Sequence, residues 1–325
     1  MGAPSNDITF NTVRNGEIEL RVAVTGAGPL ILCVHGWPEL WYSWRHQMRH
    51  FAGQGFTVAA MDVRGYGGSS KPTEIAAYSL TELASDAAAV IDALGDGHAI
   101  VFGHDWGAPI AWNTARLFAS KVSAVAGLSV PYTPVGPNSS IELWEALYPG
   151  QFFYQLYFQE PGVVETEVSV DIPASLRKIY YGGSGDGANK LLEPKTADST
   201  LLEGLIDPDP FPAWMSADDL QVYADAFTAG GWHGPFNRYR AQGFDAEQLG
   251  SLHDPAPALL QPAAFIGGEF DGVRRFVPGM DLFADPGAAC LDFRGSTIIP
   301  GVGHWVQQEA PDAVNAALAD FVSGL

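Results

Sequence analysis

Residues 103–107 read GHDWG and follow the apolar run HAIVF, so a carboxylate, Asp105, stands between small residues just after a strand-like segment. Small-X-nucleophile-X-small between a strand and a helix describes a sharp turn that lifts its central side chain clear of a sheet. A serine there would have to lose a proton and would suit planar acyl carbons. A carboxylate is already a nucleophile: it can displace a leaving group at saturated carbon and remain as an ester on the protein. The blander assignment for Asp105 is a helix N-cap, a position aspartate favours.

An ester on the chain needs a second step, in which water attacks with help from a general base, and a histidine oriented by a carboxylate is the usual solution. GVGHWVQQEAP puts His304 in a glycine-rich loop just past the strand-like STIIP, the third place in the order nucleophile, acid, histidine. For the acid, IGGEFDGV offers Glu269 and Asp271; Asp271 is preferred because it lies further beyond the strand end, and Glu269 stays open. Ester hydrolysis also builds negative charge on an oxygen of Asp105, which calls for fixed N–H donors. Two backbone groups suit, those of Trp106 and of Trp37 in HGWPE (35–39), although HGWPE also reads as an ordinary strand-ending turn. Pro38 has no N–H to offer.

These residues need a sheet to hold them. ITFNTV, IELRVAV, LILCVH, FTVAAMDV, HAIVFG and VSAVAGLSV read as strands, with helical patterns over 79–94 and 107–120 between the later ones. Strands followed by strand–helix alternation predict a mostly parallel α/β sheet with helices on both faces, whose chemistry gathers at the strand carboxyl ends. After Pro131 the alternation stops, and helical stretches such as IELWEALY, FFYQLYF and ADDLQVYADAFTAG suggest an inserted, mainly helical cap before the strands AAFIGG and STIIP return. The expected division is a discontinuous core, 1–132 and 256–325, and a cap, 133–255, with 184–190 as a connecting loop.

Composition excludes several partners. With 17 Lys and Arg against 37 Asp and Glu, a formal charge of −20 repels nucleic acid and anionic lipid. No apolar stretch approaches the ~18 residues a membrane span requires, and the amino terminus lacks a secretory pattern, so a cytoplasmic protein is expected. Cys33 and Cys290, far apart, supply no metal-ligand spacing, and neither metal nor cofactor is expected; a homodimer is left open.

Taken together, GHDWGA, HGWPE, DVRGYGGS, GEFDG and VGHWVQ make the chain resemble the α/β-hydrolase superfamily, and within it the soluble-type epoxide hydrolases, over nearly its whole length. The resemblance implies an α/β-hydrolase fold with a helical cap, and an epoxide and water as the small-molecule partners. It further implies two cap tyrosines that hold and polarise the epoxide oxygen, matching Tyr157 in YQLYFQEPG and Tyr239 in GPFNRYR. Tyr154 lies three residues from Tyr157 and could share its helix face. Where many relatives carry an asparagine after the second tyrosine, this chain reads YRAQ. Trp44, Trp144, Trp214 and Trp232 are open between a substrate tunnel and plain packing. Haloalkane dehalogenases share the aspartate and often the following tryptophan, and Trp37 keeps that alternative in play; a ligand receptor without turnover is a third reading, which the full set of catalytic residue types disfavours.

Overall fold

The computed structural model describes residues 7–187, 190–252 and 258–325. Eight strands, β1 (Thr9–Asn15), β2 (Ile18–Gly26), β3 (Leu30–Val34), β4 (Thr57–Met61), β5 (Ala99–His104), β6 (Val122–Leu128), β7 (Leu259–Gly268) and β8 (Cys290–Ile299), form one sheet. Their spatial order is β1-β2-β4-β3-β5-β6-β7-β8. The β1–β2 and β2–β4 pairs are antiparallel and the remaining pairs parallel, as the alternation predicts.

The central strand β3, LILCV, is apolar and buried at every position because both of its faces are covered. In β3, Leu30, Leu32 and Val34 enter one core while Ile31 and Cys33 enter the other, the period-two alternation of a strand. Cys33 is therefore a small core residue, fully buried. Helices α1 (Arg45–Gly53) and, at the chain's end, Pro311–Ser323 cover the Cys33 face, contributing Met48 and Phe51 from the first and Val314 and Leu318 from the second. Helices α2 (Leu80–Leu94) and α3 (Gly107–Leu117) cover the opposite face with Leu83, Ala87, Ile91, Ala108 and Trp112. Ser79 caps α2, its hydroxyl accepting from Glu82 N–H.

Between β6 and β7 the described chain is helical: α4 (Ser140–Leu147), α5 (Tyr154–Tyr157), α6 (Val163–Ser169), α7 (Ile172–Gly183), α8 (Ala217–Gly230), α9 (His233–Arg240) and α10 (Gln242–Leu249). The single turn α11 (Val306–Glu309) and the longer α12 (Pro311–Ser323) follow β8. The expected segment boundary at 255/256 lies outside the described residues, as do positions 188 and 189 of the expected 184–190 loop and residues 1–6 of the amino terminus. FFYQLYF yields only the single turn α5, and β8 starts six residues before STIIP. No helix among the described residues is long and apolar enough to cross a membrane.

Candidate active site

Asp105 follows the last residue of β5 and precedes α3, with a positive φ of 51°, a conformation non-glycine residues seldom hold. Such a tight reversal brings backbones into contact. A methyl group on Gly107 would overlap the carbonyl of Val34, and one on Gly103 would overlap that of Gly107, so only glycine fits on either side of the apex. The carboxylate does not cap α3. Its Oδ1 accepts the backbone N–H of Trp37 at 2.7 Å, and its Oδ2 lies 3.2 Å from His304 Nε2. Gly36 allows this approach, since a side chain there would collide with Asp105 Oδ1 and stand 2.6 Å from Trp106 N. The Trp106 amide thus flanks the same carboxylate pocket that the Trp37 amide enters.

His304 comes from the loop after β8, and its Nδ1 lies 3.1 Å from both oxygens of Asp271. Asp271 is 2% exposed just beyond β7, and its Oδ1 also accepts the N–H of Val273. Glu269, the open alternative, is exposed and accepts the N–H of Gly301, tying the β7 end to the histidine loop. Burial alone disfavours a charged imidazole, but the carboxylates of Asp271 and Asp105 outweigh it and hold the His304 pKa well above the ordinary histidine value. The shift favours a ring that donates to a carboxylate on each side.

Tyr239, on α9, is 1% exposed, and Tyr154, on α5, packs against it with ring centroids 5.8 Å apart at 78°. Both line a cavity of about 30 Å³ together with Asp105, His304, Asp271 and Trp37. Burial is the largest cause raising both phenol pKa values, followed for Tyr154 by the charge of Asp105 and for Tyr239 by Tyr154 and then Asp105, so both hydroxyls stay protonated and able to donate. Gln155 Nε2 donates to the Tyr154 hydroxyl at 3.0 Å, which leaves that hydroxyl's own proton for another acceptor.

Tyr157 is the correction. Its hydroxyl donates to Glu167 Oε2 at 2.9 Å, and Glu167 also accepts the N–H groups of Leu201 and Leu202. Three residues of α-helix leave Tyr154 and Tyr157 only about 60° apart on α5, so the spacing alone does not separate them; Tyr154 turns to the Asp105 cavity and Tyr157 to Glu167 on α6.

The sequence reading missed a buried polar network behind the histidine. His104 Nε2 donates to the His304 carbonyl at 2.7 Å while its Nδ1 pairs with Glu39 Oε2 at 2.7 Å, and the Ser129 hydroxyl donates to the same carbonyl at 2.8 Å. Gln307 and Gln308 donate to the other Glu39 oxygen. The available signal was the pair of ionisable residues, Glu39 and His104, inside otherwise apolar or glycine-rich motifs.

A second cavity, of about 660 Å³, opens from Asp105 and Trp106 and is walled by Trp112, Trp144 and Phe276 among others. Of the four tryptophans left open, Trp144 lines this space. Trp44 is fully buried in the Cys33-side core, and Trp232 stacks on Phe227 at 4.1 Å. Trp214 packs edge-on against Phe211. Among the described residues no group of three or more His, Cys, Asp or Glu side chains could hold a metal ion.

The alpha/beta hydrolase fold family model matches residues 29–170. Epoxide hydrolase A of Mycobacterium tuberculosis (strain ATCC 25618 / H37Rv) is 37% identical over 334 residues, which cover 100% of this chain and 99% of that protein. The solved structure of an epoxide hydrolase from an endophytic Streptomyces superposes with a TM-score of 0.91 at 37% identity, over 98% of this chain and 96% of that one. That of Epoxide Hydrolase A from Mycobacterium thermoresistibile gives 0.89 at 38% identity, over 98% and 99%.

Proposed function

The chain belongs to the epoxide hydrolases of the α/β-hydrolase fold, and from that premise we propose that it opens an epoxide to a vicinal diol in two steps centred on Asp105. Asp105 Oδ2 attacks a ring carbon; the carbon–oxygen bond breaks, and the alkoxide takes a proton from Tyr154 or Tyr239. An alkoxide is a poor leaving group unless it is protonated or strongly hydrogen-bonded, and two protonated phenols facing the carboxylate answer that need. Esterification removes the negative charge of Asp105, one of the two that hold the proton on His304. The imidazolium then releases its proton, which balances the one the phenol gave up, and His304 becomes a base.

In the second step neutral His304 takes a proton from water and the hydroxide adds to Asp105 Cγ. The charge that develops on Oδ1 is held by the Trp37 N–H at 2.7 Å, with the adjacent Trp106 N–H as second donor. Collapse releases the diol and restores the carboxylate and the imidazolium. A space of about 30 Å³ beside His304 and Asp105 is room for one water with polar partners. The segment between β6 and β7 acts as the cap that supplies both phenols and covers the reacting carbon.

The observation that carries the reading is the line Asp271–His304–Asp105 facing two buried phenols. Haloalkane dehalogenation draws support only from the Trp37 indole N–H, buried without a protein partner, and has no use for paired phenols. Single-turnover reaction in heavy-oxygen water tests the chemistry. The first-turnover diol should carry oxygen from the protein carboxylate, with solvent oxygen left in Asp105; solvent oxygen in the diol from the first cycle would refute the covalent route, and halide release from chloroalkanes without diol formation would favour the dehalogenase.

A further inference from the structure

Resting on that functional reading, the larger cavity says which epoxides fit. We propose that this site takes epoxides bearing a bulky, neutral, apolar substituent and discriminates against substrates that end in a carboxylate. A volume of about 660 Å³ lies in the range that encloses a drug-sized ligand, so the substituent extends well beyond the three-membered ring. The walls are apolar and aromatic, with Trp106, Trp112, Trp144, Pro109, Val130 and Phe276 typical of them.

Charge decides the rest. Among the described residues no lysine or arginine lines the cavity, while three carboxylates do, Asp105, Glu142 and Asp245. Asp245 is neutralised by its buried ion pair with Arg238 and also accepts the Leu80 N–H. Arg238 in turn lies over the Trp106 ring and donates to the Tyr78 carbonyl, so its charge is already matched inside the protein. Arg116, near enough to Tyr132 to favour that phenol's charged form, is likewise absent from the lining. Glu142 is exposed at the mouth and Asp105 sits at the base, so an anionic tail meets negative charge at both ends.

The side-chain amides of Asn113, Gln155 and Gln242 each spend one donor within the protein, on Pro109 O, the Tyr154 hydroxyl and Tyr239 O, and the neutral donors that remain in the lining carry no full charge to match a carboxylate's. The amino end of α4 borders the cavity, but Ser139 accepts the Ile141 N–H and the Glu142 carboxylate in the first turn opposes the pull of that end on an anion. A carboxylate entering this space sheds water without gaining a counter-charge.

The test pairs compounds that differ only at the far terminus. First, kcat/KM is measured for the methyl ester and the free acid of one long-chain cis-epoxide; the ester is expected to lead by at least about tenfold, equivalent to about 1.4 kcal/mol. Second, tryptophan fluorescence titration with methyl 4-phenylbutyrate and 4-phenylbutyrate reads the same selectivity without any chemistry. The ester should bind at least about tenfold tighter at pH 8, and the gap should close as pH falls through the acid's own titration. Third, Leu143→Arg places a cation at an exposed lining position and should shift both ratios toward the acid. Equal binding of the neutral and anionic probes overturns the inference whether or not the enzyme turns over. Failure to hydrolyse any epoxide, with the binding preference intact, overturns the functional reading alone.

Discussion

Tyr154→Phe and Tyr157→Phe remove the same atom from neighbouring faces of one helical turn, and the structure assigns them opposite consequences. Tyr154 faces Asp105 beside Tyr239, so its loss withdraws one of two proton donors from the breaking carbon–oxygen bond. Removal of one preorganised donor from an enclosed site costs about 10²–10³ in rate. Because Tyr239 remains, the effect should fall at the lower end, roughly a hundredfold on the alkylation step, with ester hydrolysis nearly unchanged. Tyr157 instead donates to Glu167 at 2.9 Å, and Glu167 keeps two backbone N–H partners when that bond is lost. Its removal should cost about 1 kcal/mol of stability and lower Tm by a few degrees, with alkylation unaffected. Stopped-flow tryptophan fluorescence separates alkylation from hydrolysis, and a thermal melt reads stability. If Tyr157→Phe slows alkylation as much as Tyr154→Phe does, the assignment of the phenols is wrong.

Three further outcomes follow from the same geometry. His304→Gln should let the alkyl-enzyme persist, seen as added mass on the intact protein after mixing with epoxide; full turnover by this variant would remove His304 as the base. The hydrolysis step should speed up as pH rises through the His304 pKa of the ester form, since only the neutral ring is a base. That inflection should lie below the one governing the free enzyme, where the Asp105 charge still keeps the proton on His304; coincident inflections in single-turnover profiles would contradict the role of the Asp105 charge. Gly36→Ala should push the Trp37 N–H away from Asp105 Oδ1 and lose roughly 10²–10³ in hydrolysis rate, whereas Glu269→Gln, at an exposed position, should stay within about 0.5 kcal/mol of the parent in stability and keep its activity.

Asp105, Asp271 and His304 were legible because each follows a strand-like apolar run, and strand ends are where a parallel sheet gathers its chemistry. Trp37 was legible for the same reason, through its place after β3. Of the phenols, Tyr239 came from the resemblance and falls beside Asp105, whereas Tyr154 was passed over for Tyr157. Choosing between Tyr154 and Tyr157 requires the rotation of a one-turn helix, and a single turn has no apolar periodicity from which to read a face. The Glu39–His104 pair was hidden differently: both residues sit inside recognisable motifs, but their contact spans 65 positions of chain and forms only when β3 and β5 lie side by side. Helices α6, α7, α9 and α10 also escaped notice, since the glycines, prolines and aromatics around them blur the helical stripe.

The proposed mechanism asks one carboxylate to serve two incompatible steps. Attack on the epoxide needs a negative Asp105 and a proton source; attack by water needs a neutral acyl carbon and a proton acceptor. With His304 bridging Asp105 at 3.2 Å and Asp271 at 3.1 Å, the proposal has the histidine answer a change in the Asp105 charge with a change in its own. Asp271 cannot do this by itself, because its charge is the same in both steps; it orients the ring and sets how far the pKa falls. The His104 and Ser129 donors to the His304 carbonyl keep the backbone fixed while the ring's proton comes and goes. Asp271→Asn should therefore harm hydrolysis more than alkylation, since it weakens the base without touching the nucleophile. Equal losses in both steps would mean that Asp271 holds the site's shape rather than its charge.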